Sequence, residues 1–220
     1  MAKATFVKSA QKDIYTNGKT VKYVSAKGKR EGQTISKIDR TIPRDENDTV
    51  FIAKGESYYW WQFKNSPKQL SKTQPKASQL TQSNYLSQLY ELQEQIDYFS
   101  PSEVEEVESF VEEMKENLEN LKDETQGSLD NMPESLQSSP TGELLQERVD
   151  ALDNAISEFE GIDIDYEEPD EDEIRQDIAT DEDIELEEVT QEQIQNVIDE
   201  KLQEWLDEKT SEIQGISLEG

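Results

Sequence analysis

"VEEVESFVEEMKENLENL", residues 104–121, repeats an apolar residue every third or fourth position within a strongly acidic stretch. The positions that share this spacing of 3, 4, 3, 4 and 3 are Val104, Val107, Val111, Met114, Leu118 and Leu121. An α-helix gathers such positions on one stripe, whereas a strand scatters them over both of its faces. The stretch therefore predicts an amphipathic helix over about 101–125, capped by Ser100, begun by Pro101 and stopped by Gly127.

Two further segments carry the same kind of helical spacing, here 4, 3, 4 and 3. Their stripes are Tyr85, Leu89, Leu92, Ile96 and Phe99, and then Leu145, Val149, Leu152, Ile156 and Phe159. They predict helices over about 83–99 and 140–160, the second capped by Ser139 and ended by Gly161. Because three such helices bury their stripes most simply against one another, we expect residues 77–162 to form an acidic three-helix body. Surface left over on the seams would also allow a homo-oligomer.

The last part of the chain predicts one more helix behind a very acidic segment. Residues 163–189 contain 15 Asp and Glu against one basic residue, Arg175, so we expect a disordered acidic linker. The capping-box pattern "TQEQ" begins at Thr190, and the stripe after it is Ile194, Ile198, Leu202 and Trp205. This pattern predicts an amphipathic helix over 190–214, with Trp205 as a candidate partner or docking contact.

Residues 1–76 favour β-structure instead. Short runs of β-branched and aromatic residues occur at 20–24, 34–38 and 49–53, with the Gly-containing loop "SAKGKREGQ" between the first two. Lys54 and Gly55 predict a tight turn, while 4–15 is compatible with a short helix and 65–83 reads as a connector. The predicted fold class is α+β: a small basic β-containing N-terminal module, a mainly helical acidic body, an acidic tail and a C-terminal helix.

Charge is segregated along the chain. Residues 1–76 hold 16 Lys and Arg against 7 Asp and Glu, whereas residues 77–220 hold 6 against 44. The two parts therefore carry net charges of +9 and -38 within an overall -29. Such asymmetry favours a polyanion contact at the basic end and a solvating or charge-mimicking surface at the other.

The chain of 220 residues contains no Cys and no His, which limits its chemistry. Disulfides, thiolate or imidazole metal sites, cysteine nucleophiles and Ser-His triads are excluded. "DIDYEEPDEDEI", 163–174, begins like a calcium loop but has Glu168 where the loop needs Gly and Ile174 where it needs Glu. We therefore predict a protein that is not an enzyme and uses no metal or other cofactor. Because no run approaches the roughly 18 apolar residues of a membrane helix, we also expect no membrane contact and a cytoplasmic location.

The aromatic run "KGESYYWWQF", residues 54–63, is the most unusual string of the basic segment. Neighbours on a strand point to opposite faces, so one face should supply a small hydrophobic core and leave the other for a partner. Rings flanked by lysines are typical of surfaces that bind single-stranded nucleic acid. The candidate partner-binding residues are Tyr59, Trp61, Lys64, Lys68 and Lys72. The alternatives are that the run is only core, and that the basic segment meets a foreign anionic protein or the chain's own acidic region.

Two parts of the sequence resemble a known family. "KGESYYWWQF" followed by "SKTQPKASQLTQSNYLSQLYELQEQI", and later "LDNMPESLQSSPTGELLQERVDALDNAISEFEGI", are similar to a family of small tailed-phage and prophage proteins. These segments, about 54–96 and 129–162, cover roughly a third of the chain. Family members reach the aromatic motif sooner after a start like Lys12-Asp13-Ile14, which makes 16–53 look like an insertion or a variable part. The resemblance implies a phage-encoded accessory protein in the cytoplasm of an infected bacterium, and it implies no catalytic or binding residue.

Three functions are compatible with the sequence. The favoured one is a non-enzymatic accessory protein that binds a macromolecule, with nucleic acid as the first candidate for the basic aromatic segment. In the second, the acidic body imitates DNA and inhibits a host DNA-binding or anti-phage defence protein, because helices dense in Glu can space carboxylates like phosphates. In the third, the protein is a structural or assembly part of the virion and associates through its helical seams.

Overall fold

The computed structural model describes residues 1–24, 34–64 and 66–218. The chain forms two compact units, Met1–Ser87 and Gln88–Gly220, called here the basic unit and the acidic unit.

The division of charge follows the division into units. No charged residue occurs between Lys76 and Glu91, so the whole +9 of the N-terminal segment belongs to the basic unit.

The described part of the basic unit contains seven short strands. They are β1 (Thr5–Val7), β2 (Ile14–Tyr15), β3 (Lys19–Val24), β4 (Thr34–Asp39), β5 (Val50–Ile52), β6 (Tyr58–Trp61) and β7 (Gln69–Ser71). They pair antiparallel in three small sheets, of order β1-β6-β7, β2-β5 and β3-β4. The three predicted strands correspond to β3, β4 and β5 to within one residue, which confirms them. The loop predicted between the first two of these lies outside the described residues.

Long-range pairing changes two other predictions for this unit. The segment 4–15 forms β1 and β2 instead of a helix, because it pairs with β6 and β5, far along the chain. The connector 65–83 contributes β7, which pairs with β6, and a short 3-10 helix at Ser78–Leu80. Both segments therefore belong to the folded unit.

The core of the basic unit is small. Ala10, Ile14 and Ile52 are buried together, and Phe51, Tyr58 and Leu70 pack against them. The predicted turn at Lys54 and Gly55 is confirmed, with Gly55 at a φ of 95°, a conformation that favours glycine. The Gly55 N–H donates to the carbonyl of Ala10 at 2.9 Å, and this bond ties the turn between β5 and β6 to the segment before β2.

Six α-helices are described from residue 84 onward. They are α1 (Asn84–Asp97), α2 (Val104–Asp130), α3 (Glu134–Gln137), α4 (Pro140–Glu160), α5 (Glu171–Glu182) and α6 (Gln191–Gln214). The fold class is thus α+β, as predicted. None of the described helices is long and apolar enough to cross a membrane.

The acidic unit has its main core between α2 and α4, which pack along their apolar stripes. Five residues of the predicted α2 stripe are buried, namely Val107, Val111, Met114, Leu118 and Leu121. Leu152, Ile156 and Phe159 supply the facing stripe of α4. Burial of each such side chain contributes roughly 1.5–3 kcal/mol. Periodic burial therefore explains why so acidic a sequence folds.

The ends of α2 differ from the prediction. Ser100 does not cap this helix; the chain is extended at Glu103, and the backbone N–H of Ser102 donates to the Glu106 carboxylate at 2.6 Å. Gly127 does not stop it either, because the next turn places Leu129 in the core at 8 % exposure. The helix consequently starts later and ends later than predicted, and its 27 residues span about 40 Å.

The caps predicted for the two later helices are confirmed. The Ser139 hydroxyl accepts the N–H of Gly142 at the start of α4. Thr190 and Gln193 form the reciprocal capping box of α6.

The acidic segment 163–189 differs most from its prediction, because it contains α5 instead of a disordered linker. Asp170 caps this helix by accepting the N–H groups of Asp172 and Glu173. Its few apolar residues share a small core with α6, formed by Ile174, Ala179, Val189 and Ile194. Composition alone did not predict the helix, because it does not show that burial of these four apolar residues offsets the repulsion among the surrounding charges.

The residues after α6 pack on α1. The Gln93 amide donates to the carbonyl of Ile216 at 3.3 Å and accepts the N–H of Leu218 at 2.7 Å. Ile216 and Leu218 are both buried.

Candidate nucleic-acid interface

The aromatic run forms β6, the central strand of the sheet β1-β6-β7. Phe6 lies opposite Tyr59 on β1, while Leu70 lies opposite Trp60 on β7. Because side chains alternate along a strand, Tyr58 and Trp60 belong to one face of the sheet and Tyr59 and Trp61 to the other. The side chains of the two faces have different surroundings.

The face of Tyr58 and Trp60 is turned toward the core. Tyr58 and Leu70 pack against the buried cluster of the basic unit. The ammonium of Lys68 lies 3.5 Å from the centre of the Trp60 ring, a close cation-π pair. The side chain of Lys68 therefore lies over the aromatic ring, and Lys68 itself remains exposed.

The opposite face carries an aromatic pair at the surface. The rings of Phe6 and Tyr59 lie 5.0 Å apart at 47°, and Phe6 is 54 % exposed although it is a large apolar residue. Trp61 shares this face by alternation but is only 6 % exposed, and its Nε1 has no hydrogen-bond partner among the described residues. On this face Phe6 is thus the exposed ring and Tyr59 is half-buried beside it, whereas Trp61 is packed inside.

The three predicted lysines have different surroundings. Lys64 is exposed three residues after the end of β6, next to the half-buried Phe63. Lys72 pairs with Glu56 at 3.2 Å. The pKa of Glu56 lies below its ordinary value because the carboxylate accepts the backbone N–H of Ala53 and a hydrogen bond from Lys72. Lys72 is therefore partly neutralised, and Lys64 and Lys68 are the cations best placed to meet an anion.

Phe6 is the residue of this surface that sequence reasoning missed. It belongs to the segment 4–15, and its place beside Tyr59 depends on the pairing of β1 with β6. No local sequence pattern predicts that pairing. An isolated exposed Phe close to Lys3 and Lys8 was the only available signal.

Trp205 makes its contact within the acidic unit. Its ring lies 5.4 Å from that of Tyr166, and both residues are half-buried. Burial raises the pKa of Tyr166, with a smaller contribution from the charge of Glu168. Trp205 thus holds the segment before α5 against α6.

Over the ranges that the structure describes, no group of three or more acidic residues is arranged to hold a metal ion.

No protein-family model, no curated protein and no solved structure matches this chain at a significant level.

Proposed function

We propose that the protein is a non-enzymatic phage accessory protein that acts in an infected bacterium, and that its basic unit binds single-stranded nucleic acid. The observation that carries the proposal is the exposed ring of Phe6 packed against the half-buried ring of Tyr59 on the sheet surface. Bases stack on such rings irrespective of sequence, with about 1–3 kcal/mol per base. The phage origin rests only on the resemblance of the two segments, about 54–96 and 129–162, to the phage family.

Charge supports the same proposal. The basic unit has a net charge of +9, and its lysines include Lys8 directly after β1 and Lys64 three residues after the end of β6. Cations next to stacking rings follow the phosphate backbone of a bound strand. In this arrangement Phe6 takes the stacking role that alternation alone had given to Trp61, since Trp61 is buried.

The test uses the full chain and a fluorescently labelled oligothymidine, with a duplex of equal length for comparison. We expect binding at about 0.02 M salt, preference for the single strand, and a steep decrease toward about 0.15 M salt. Phe6→Ala should weaken binding about fivefold or more, because one stacking surface is removed. Tyr98→Ala is the matched control, since Tyr98 is 79 % exposed but lies in the acidic unit. Absence of binding at low salt, or equal losses in the two variants, would contradict the proposal.

A second candidate function is imitation of DNA by the acidic unit. It is favoured by the rigid α2, about 40 Å long, whose exposed side carries carboxylates in successive turns, among them Glu105, Glu108, Glu112, Glu116 and Glu119. The two candidate functions predict different effects of added duplex DNA. A mimic binds no nucleic acid itself but holds a DNA-binding protein that added duplex displaces. Such displacement by duplex, together with no oligothymidine binding, would favour this candidate.

A further inference from the structure

A cleft of about 570 Å³ lies in the basic unit, and neither Phe6 nor Tyr59 lines it. One wall comes from the segment between β6 and β7, and the other from β2 and the end of β4. Because Leu70 lines this cleft and lies opposite Trp60, the cleft is on the Trp60 side of the sheet. Its volume falls within the range of about 300–1,000 Å³ that is usual for small-molecule sites.

Arg40 supplies one cation of the lining. Its backbone is fixed, because its carbonyl accepts the N–H of Tyr15 at 2.8 Å and Gly18, with a φ of 65°, packs so closely that a Cβ there would lie 2.6 Å from the Arg40 Cα. The guanidinium donates to the Thr16 carbonyl at 3.5 Å, which is the outer limit of a hydrogen bond. Since a guanidinium has five donors, it retains donors for a ligand beside this long bond.

Lys68 supplies the second cation, on the opposite wall. Its contact with the Trp60 ring fixes the ammonium without using a hydrogen-bond donor. The cleft also contains Asp39, whose carboxylate accepts the backbone N–H and the hydroxyl of Thr41 at 3.0 and 2.7 Å. That carboxylate is engaged locally, and the two cations exceed it by one positive charge.

The rest of the lining is apolar with a few polar groups. Ile14, Ile38 and Leu70 provide branched aliphatic surface, and Ile38 is 42 % exposed. The Gln62 amide is oriented by its bond to the Ser66 carbonyl at 2.7 Å, and an amide carries both a donor and an acceptor. This combination suits a ligand that has a doubly charged head and a flat, partly polar body.

We propose that the cleft binds a nucleoside phosphate, with its phosphate between Arg40 and Lys68 and its base between the aliphatic side chains. Arginine recognises phosphate through paired N–H donors, and lysine adds a point charge. Gln62 supplies the polar edge that a base requires. This inference does not rest on nucleic-acid binding by Phe6 and Tyr59, because those rings lie on the other face of the sheet.

The experiment is calorimetric titration of the full chain with adenosine 5′-monophosphate, adenosine and inorganic phosphate. Salt of about 0.1 M screens the net charge of the chain. We expect saturable binding of the monophosphate, and at least about tenfold weaker binding of adenosine and of phosphate, since each lacks half of the contacts. Equal affinities for the monophosphate and for phosphate, or no saturable heat with the monophosphate, would overturn the proposal.

Three variants place the ligand in the cleft. Arg40→Gln and Lys68→Gln should each weaken binding of the monophosphate about tenfold, because each removes a charged hydrogen bond. Lys72→Gln is the control, since Lys72 is also a lysine of the basic unit but pairs with Glu56 outside the cleft. A loss in the control as large as in Lys68→Gln would overturn the assignment.

Two further arms identify the source of the nucleoside phosphate and separate this site from the aromatic face. If the natural ligand is a free nucleoside phosphate, a 5′-phosphorylated trinucleotide should compete with the monophosphate but bind no more tightly. If the natural ligand is part of a nucleic-acid strand, the trinucleotide should bind more tightly than the monophosphate and displace it. Either result supports the cleft, and failure to compete would overturn it. Phe6→Ala should leave binding of the monophosphate unchanged, so the failure of one proposal is distinguishable from the failure of the other.

Discussion

The ammonium of Lys68 lies 3.5 Å from the centre of the Trp60 ring, and this contact joins β6 to the segment that leads into β7. The pair has a structural and a functional consequence. It stabilises a hairpin that contains only short strands, and it directs a positive charge toward the cleft lined by Lys68.

Lys68→Met tests the structural consequence. The change keeps the length of the side chain but removes its charge, so we expect the basic unit to lose about 0.5–1 kcal/mol of stability. Urea unfolding followed by tryptophan fluorescence in a Trp205→Phe background reports on the basic unit, where Trp60 and Trp61 remain. Lys64→Met is the matched control and should change the unfolding midpoint little. Equal midpoints for the two variants would show that the cation-π pair contributes nothing.

Two glycines of the acidic unit should respond oppositely to alanine. A Cβ at Gly142 would overlap the backbone carbonyl of Gln137, so Gly142→Ala should destabilise by about 2 kcal/mol or more. Gly127 lies inside α2 with nothing within 4 Å of its would-be Cβ, so Gly127→Ala should stabilise by about 0.5–1 kcal/mol. Thermal unfolding by far-ultraviolet circular dichroism measures both changes, and shifts of the same sign would contradict this packing.

Asp183 ends α5 in the left-handed conformation, with a φ of 54°. Glycine adopts this conformation without steric cost, and removal of a negative charge from a helix C-terminus is also favourable. Asp183→Gly should therefore stabilise α5 by about 1 kcal/mol, whereas Asp181→Gly, inside the last turn of the same helix, should not stabilise it, because the low helix propensity of glycine offsets the gain from removing the charge. Amide hydrogen exchange along α5 gives both effects. Slower exchange in the Asp181 variant would contradict the assignment of the helix end.

The lowered pKa of Glu56 predicts a local pH dependence. Because folding favours its charged form, this carboxylate stabilises the turn above the unfolded pKa of about 4.3. That contribution is lost as the pH falls below this value and through the lower folded pKa. Glu56→Gln should reduce the exchange protection of the Ala53 N–H at neutral pH, and the difference from the unchanged protein should disappear at an acidic pH below the folded pKa of Glu56. The exposed Glu46→Gln is the control and should leave the protection of Ala53 unchanged at both pH values.

The helical stripes could be predicted from sequence because their information is local. Val107, Val111 and Met114 fall on one face by spacing alone, whatever the helix packs against. The helix ends were harder to place. At the end of α2 the burial of Leu129 decides the outcome, and burial is a property of the tertiary structure.

The surface of the basic unit depends on long-range strand pairing, which local sequence patterns do not predict. Alternation along β6 separated Tyr59 and Trp61 from Tyr58 and Trp60, but it could not say which ring of each face is covered. That depends on β1, which brings Phe6 to Tyr59 across more than 50 residues of sequence. Arg40 and Lys68 line one cleft for the same kind of reason, since Arg40 follows β4 and Lys68 precedes β7, and these strands belong to different sheets.

Gln93 and Leu218 are separated by 125 residues and joined by one hydrogen bond. During translation at about 5–20 residues per second, Gln93 is added to the chain roughly 6–25 seconds before Leu218. Until Leu218 has been added, the apolar surface that Ile216 and Leu218 cover in the finished protein has no partner from this segment. The acidic unit is thus completed only after its last helix has been synthesised, while the basic unit, whose residues all precede position 88, can fold long before.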